Sequence, residues 1–150
     1  MTAVLFICLG NICRSPTAEA VFRARAAAAG LDATADSCGT GGWHAGEPPY
    51  LPSIEAAARR GYDLRPLRAR QIRPEDFTRF DHLLVMDRSN LADVRALMPS
   101  GGTAPRLFLE HAPELGRSDL PDPWYTRDFE GTLDLIEAAT DGLIRDLLRA

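Results

Sequence analysis

Val4-Leu5-Phe6-Ile7-Cys8-Leu9-Gly10-Asn11-Ile12-Cys13-Arg14-Ser15-Pro16 joins an apolar run to a polar turn and a proline. Ala3 to Cys8 is a run of apolar and β-branched residues, as a parallel strand buried on both faces requires. Leu9 to Ser15 is a turn that holds Gly10 and Asn11. Pro16 suits the first turn of a helix, where an N–H would lack a partner anyway, and Thr17 to Ala29 is rich in alanine, the best helix former. Gly30 suits the helix C-cap. The first thirty residues therefore read strand, short loop, helix.

The alternation continues outward from there. Ala33 to Cys38 is a second strand, followed by a loop with Gly39, Gly41 and Gly42 that ends at Trp43. Leu51 to Arg60 is a helix closed by Gly61, and Pro74 to Phe80 a short helical turn. His82 to Met86 is a third strand, and Asp87 to Leu97 a helix capped by Asp87 or Ser89. Pro105 to Leu109 is a fourth strand, Pro113 to Tyr125 a loop, and Phe129 to Leu148 a helix with apolar residues at helical spacing. With no repeat or linker, this is one domain over residues 1–150. Its class is α/β: an open four-stranded parallel sheet with helices on both faces. Ligands on such sheets bind at the carboxyl ends of strands, so the loop after the first strand is the place to look.

Composition narrows the chemistry. All 17 basic residues are arginine, which excludes a Schiff-base lysine and a Gly-Lys-Ser/Thr nucleotide loop. The net charge of -4 argues against a nucleic-acid partner, and the run from Arg59 to Arg79 reads as a solvated face. His44, His82 and His111 are far apart and no Cys-x2-Cys pair exists, so neither a metal nor a cofactor is expected. Cys8, Cys13 and Cys38 lack disulfide-framework spacing. Val4 to Leu9 is too short for a membrane span and has no basic segment before it, so the expected location is the reducing cytoplasm, away from membranes.

The loop itself pairs a cysteine and an arginine five residues apart, followed by a hydroxyl. Consecutive backbone N–H groups in such a turn form an anion cradle, and a helix starting near Pro16 adds its positive end. Arg14 would close the ring with a planar fork that fits phosphate bidentately. Cys8 would lie at the base, where the same field favours its thiolate as an in-line nucleophile. Gly10 and Asn11 are the residues best able to take positive φ. Ser15 can donate a hydrogen bond to the thiolate.

Residues 4 to 16 closely resemble the signature of the low-molecular-weight protein tyrosine phosphatases, bacterial type. The resemblance runs on through Thr17-Ala18-Glu19-Ala20, Asp36-Ser37, Val85-Met86-Asp87 and Asp122-Pro123-Trp124-Tyr125. It implies a Rossmann-like or flavodoxin-like fold and hydrolysis of phosphotyrosine through a phosphocysteine. Cys8 is then the nucleophile, Arg14 the phosphate clamp and Asp122 the general acid and base. Leu9, Gly10, Asn11, Ile12, Cys13, Arg14 and Ser15 would hold the phosphate; Trp43, Trp124 and Tyr125 would wall the cleft. Asn11, Ser15, Ser37 and Asp87 would support the loop, with helix capping an equal reading of Asp87. Without the resemblance, Asp119, Asp122 and Asp128 are equivalent candidates for the acid.

The resemblance further implies a reversible Cys8–Cys13 disulfide, a monomer, release of inorganic phosphate, and a phosphotyrosine protein as substrate. Bacterial members act on tyrosine kinases of polysaccharide export or on host proteins. The chain departs from the family pattern at Trp124-Tyr125, where animal members carry two tyrosines, and at His44, where many members place an acidic or other polar residue. Three other activities compete with this reading. An arsenate reductase needs further relay cysteines, and none follows Cys38. A protein arginine phosphatase resembles this loop with threonine at the place of Ile12. A non-catalytic phosphopeptide-binding module would not need all three reacting residues.

Overall fold

β1 (Thr2–Cys8) is the axis of the structure, and its residues Val4 to Ile7 are completely buried. The computed structural model describes residues Met1–Ala150. β2 (Ala33–Gly39), β3 (His82–Val85) and β4 (Pro105–Leu107) complete a fully parallel sheet in the order β2-β1-β3-β4. Cys8 lies beside Gly39, and Ile7 beside Val85. The chain leaves β1 on one side to form β2 and returns on the other to form β3. That reversal opens a crevice at the carboxyl end of β1.

Alternation along β1 sends its side chains to two cores. Val4, Phe6 and Cys8 join the larger one, with α1 (Arg14–Ala28), α2 (Leu51–Arg59) and α6 (Phe129–Arg149). Leu5 and Ile7 join the smaller one, with Phe77 of α3 (Asp76–Arg79) and Val94 of α4 (Arg88–Leu97). Phe6 is held between Phe22 and Phe108, at centroid distances of 5.7 and 5.2 Å. Each such side chain stabilises the fold by about 1.5–3 kcal/mol through burial alone. No helix is long and apolar enough to cross a membrane.

Three expected boundaries move. The fourth strand stops at Leu107, and Phe108–His111 form a 3-10 turn. Phe108 and Leu109 are both buried in the larger core, which consecutive strand residues cannot achieve because they point to opposite faces. The segment from Pro113 to Tyr125 is not a continuous loop: Pro113–Leu115 make a 3-10 turn, and α5 (Pro123–Thr126) follows Asp122. Proline opens both turns, with its φ already set for a helix. α1 begins at Arg14, so Arg14 and Ser15 belong to its first turn rather than to the preceding loop. Their N–H groups are therefore among those that a helix start leaves unpaired. Gly30, at φ 70°, stands one residue past the C-cap Ala29.

Candidate active site

The loop from Leu9 to Cys13 closes over the carboxyl end of β1. Its carbonyls are drawn outward by neighbouring segments. Cys8 O accepts from Thr40 N–H (2.9 Å), Leu9 O from Gly41 N–H (2.9 Å) and Ile12 O from Tyr50 N–H (2.8 Å). Cys13 O accepts from the Thr17 hydroxyl at 2.6 Å. The N–H groups of Leu9, Gly10, Ile12, Cys13, Arg14 and Ser15 have no acceptor in the protein. With their carbonyls turned away, these amides face the concave side and form an anion cradle. Gly39 permits the close packing behind it, since a Cβ there would lie 2.6 Å from Leu9 O.

Only Asn11 takes positive φ in this loop, at 57°; Gly10 does not, contrary to expectation. The side chain of Asn11 accounts for the difference. Its Oδ1 accepts from the backbone N–H of Arg70 (3.0 Å), and its Nδ2 donates to Ser15 Oγ (2.8 Å) and Ser37 Oγ (3.0 Å). A backbone N–H can only donate, so the orientation of the amide is fixed. Both serine hydroxyls must then send their own protons elsewhere. Ser37 donates to Glu19 Oε1 at 2.7 Å. Ser15 lies 2.9 Å from Cys8 Sγ, with the Cys38 carbonyl a longer alternative at 3.4 Å. Asn11 N–H also donates to Cys8 Sγ at 3.2 Å. The sulfur thus faces the Ser15 hydroxyl and the Asn11 N–H. Burial raises Glu19 above the usual carboxylate range, against the opposing pull of Ser37 and Arg23.

Arg14 is almost completely buried. Its Nη1 donates to Asp87 Oδ2 (2.7 Å) and to the Leu120 carbonyl (2.9 Å). Nε makes no hydrogen bond, and Nη2 lies 3.6 Å from Asp122 Oδ2. The planar Nε–Nη2 edge therefore remains available to a tetrahedral oxyanion. Burial opposes the charge of Arg14, but Cys8, Asp87 and Asp122 outweigh it and its pKa is raised. Asp87 meets both of its expected readings: Oδ1 accepts from Asn90 N–H (2.7 Å) as the cap of α4, while Oδ2 anchors Arg14.

Asp122 caps α5 by accepting from Trp124 N–H at 3.0 Å. The two aspartates equivalent to it in sequence are engaged elsewhere. Asp119 accepts from the backbone N–H of Arg88 (2.9 Å), which with the Arg88 side chain holds its carboxyl below the usual range. Asp128 caps α6.

A cleft of about 110 Å³ brings together Cys8, Leu9, Gly10, Ile12, Cys13, Arg14, Trp43, Asp122, Trp124 and Tyr125. His44 joins them, paired to Glu47 at 2.5 Å. Asn11, Ser15 and Ser37 lie buried behind the cradle instead. Sequence reasoning missed Tyr50, which supports Trp124 at 4.7 Å between centroids and carries the Arg127 guanidinium 5.3 Å over its ring. The one available signal was its place just before the helix of residues 51–59. Cys13 faces the cleft and a small cavity beside Ser53, and burial pushes its thiol up to about 12.

Comparison with known proteins gives the lineage. The family described as low molecular weight phosphotyrosine protein phosphatase matches residues 3–150. The chain is 39% identical to the Bacillus subtilis low molecular weight protein-tyrosine-phosphatase YfkJ, over 98% of this chain and 96% of that protein. The YfkJ crystal structure superposes with a TM-score of 0.94 at 38% identity, covering 99% and 96% of the two chains. A low molecular weight protein-tyrosine-phosphatase of Streptomyces coelicolor is 45% identical over 94% of this chain and 90% of its own. A Drosophila arginine phosphatase shares the fold at a TM-score of 0.89 and 27% identity, covering 97% of each chain. A match of this extent leaves one assignment: the chain belongs to the low molecular weight phosphotyrosine protein phosphatase family.

Proposed function

We propose that this protein-tyrosine phosphatase works through a phosphocysteine on Cys8, with Arg14 as phosphate clamp and Asp122 as acid and then base. The observation that carries the reading is the ring of six unpartnered loop amides around the Cys8 sulfur, closed by the free edge of Arg14. A phosphate dianion takes those donors and presents phosphorus to the thiolate. Sulfur attacks in line as the P–O bond to the tyrosine breaks. Asp122 delivers its proton to the departing phenolate oxygen, so that a neutral phenol leaves. Its carboxylate then takes a proton from water, whose oxygen attacks phosphorus. The P–S bond breaks, Ser15 and Asn11 N–H receive the returning thiolate, and inorganic phosphate departs. Positive charge comes from Arg14 and the amides, so a chelator leaves the rate unchanged.

The walls set the substrate. Trp43, Trp124 and Tyr125 stand exposed around the mouth, and Ile12 presents an apolar side chain. A phenyl ring spans from the cradle to those walls, whereas a phosphoserine stem leaves them untouched. The substrate class is a phosphotyrosine protein, such as a bacterial tyrosine kinase or a host protein, and the three free thiols suit a reducing cytoplasm.

Asp122→Asn lowers kcat by about 10²–10⁴-fold, the scale of lost acid catalysis. The loss grows with the pKa of the leaving phenol, which a series of substituted aryl phosphates measures. Unimpaired turnover would place the acid elsewhere.

Cys13 guards the nucleophile. Peroxide converts the Cys8 thiolate to a sulfenic acid, and the Cys13 thiol displaces water from it to form a disulfide that added thiol reduces. Its high pKa directs the first oxidation to Cys8 instead. After peroxide, wild type recovers activity on adding thiol and Cys13→Ser does not; equal recovery of both would sink this role.

A further inference from the structure

We infer that the groove beyond the Leu9–Trp43 wall of the catalytic cleft is a subsite for a long basic side chain close in sequence to the substrate phosphotyrosine. The inference rests on the phosphotyrosine reading above.

The groove is open, about 570 Å³ in volume, and lies between the Gly39–Trp43 loop and the last turns of α4. Leu9 and Trp43 line it on one side and the Cys8 cleft on the other, so an extended peptide seated in the cleft continues into it. The indole of Trp43 lies over the backbone of Gly41, where a Cβ would meet the ring. Gln71 ties the loop down by donating to the Thr40 carbonyl at 3.1 Å. Opposite stand Asp93 and Leu97, four residues apart and therefore on one face of α4.

The lining selects its occupant. Leu9, Trp43 and Leu97 are 40, 72 and 53% exposed and form an apolar strip continuous with the active site. Asp93 is the only ionisable residue lining the groove, and no arginine or histidine there neutralises it. An aliphatic stem ending in a cation satisfies both features: the stem covers the apolar strip, and the head reaches Asp93 or stacks on the Trp43 indole. An acidic side chain meets only repulsion. The wall aromatics hold the phosphotyrosine ring, and this groove reads its neighbour.

The test uses phosphotyrosine peptides in which Arg, Met, Ala or Glu replaces one residue at a time, at the two positions on each side of the phosphotyrosine. p-Nitrophenyl phosphate, which has no flanks, is the control. At one position kcat/KM falls in the order Arg, Met, Ala, Glu, with Arg over Glu by about tenfold. Asp93→Arg inverts the Arg and Glu ranks at that position. Leu97→Gln lowers the Arg and Met peptides about threefold relative to Ala. Both variants hydrolyse p-nitrophenyl phosphate at the wild-type rate. A flat series at every position, or an order that survives Asp93→Arg, would overturn the subsite. Failure of the wild type to hydrolyse p-nitrophenyl phosphate would instead overturn the phosphatase reading on which it rests.

Discussion

Cys8→Ser abolishes turnover and still binds a phosphotyrosine peptide with near wild-type affinity. The cradle is made of backbone amides and Arg14, none of which the substitution removes. What disappears is the sulfur proposed to attack phosphorus. A serine hydroxyl is not ionised at neutral pH, and no base lies against it: its neighbours are the Ser15 hydroxyl and the Asn11 N–H, both donors to the sulfur. The rate falls by about 10⁶-fold, the scale on which removal of an enzyme's nucleophile acts. Steady-state hydrolysis of an aryl phosphate measures the loss. Titration of peptide into the variant, followed by the fluorescence of Trp43 and Trp124, measures the binding. A variant that turns over, or one that folds but no longer binds, would contradict the assignment.

Arg14→Lys comes second in size. The guanidinium makes two kinds of contact at once. Nη1 reaches Asp87 and the Leu120 carbonyl, and the Nε–Nη2 edge makes no hydrogen bond, with Nη2 3.6 Å from Asp122. A lysine ammonium is a point charge and cannot span both. If it reaches the phosphate, Asp87 and the Leu120 carbonyl lose their donor. If it stays with Asp87, the transition state loses its clamp. The expected loss in kcat is about 10³–10⁵-fold, the range for an arginine acting on a transferring phosphoryl group. Arg14→Ala supplies the control, because free guanidinium in solution restores part of its rate when the scaffold is intact. Wild-type turnover by Arg14→Lys would show that positive charge suffices and that the fork has no role.

How much of this was legible in the chain depends on the distance over which each feature is determined. The strand, loop and helix of residues 3–29 were readable because each signal is local: a buried apolar run, a turn, and a proline before alanines. The cysteine and arginine of the loop were readable for the same reason. Asp122 was selected over Asp119 and Asp128 by family resemblance alone. In the structure only Asp122 of the three lines the cleft, 3.6 Å from Arg14, while Asp119 is bound to Arg88 and Asp128 caps α6.

Other features depend on partners far along the chain and carry no local mark. The acceptor that completes the anchoring of Arg14 is the backbone carbonyl of Leu120, 106 residues away. The backbone N–H that orients Asn11 belongs to Arg70, 59 residues away. Glu19 reads as an ordinary helix carboxylate, yet it is buried and receives the Ser37 hydroxyl. The preference for Asn11 over Gly10 at positive φ follows from the same network, because three side-chain hydrogen bonds offset the steric cost that glycine would avoid.

The absence of lysine takes on a narrower meaning in this light. Nine of the other sixteen arginines form ion pairs, such as Arg25 with Glu137 and Asp141. Arg14 is different, because it is almost completely buried at the cleft and its Nη1 holds both Asp87 and the Leu120 carbonyl.

On the proposed reading, the cleft accepts a phosphate carried on a phenyl ring. Purified protein offered matched peptides of phosphotyrosine, phosphoserine and phosphoarginine tests it most directly. Turnover of the phosphotyrosine peptide should exceed that of the other two by at least about 10²-fold in kcat/KM. Hydrolysis of phosphoarginine at an equal or greater rate would overturn that reading and make Ile12 and the aromatic walls irrelevant to the choice of substrate.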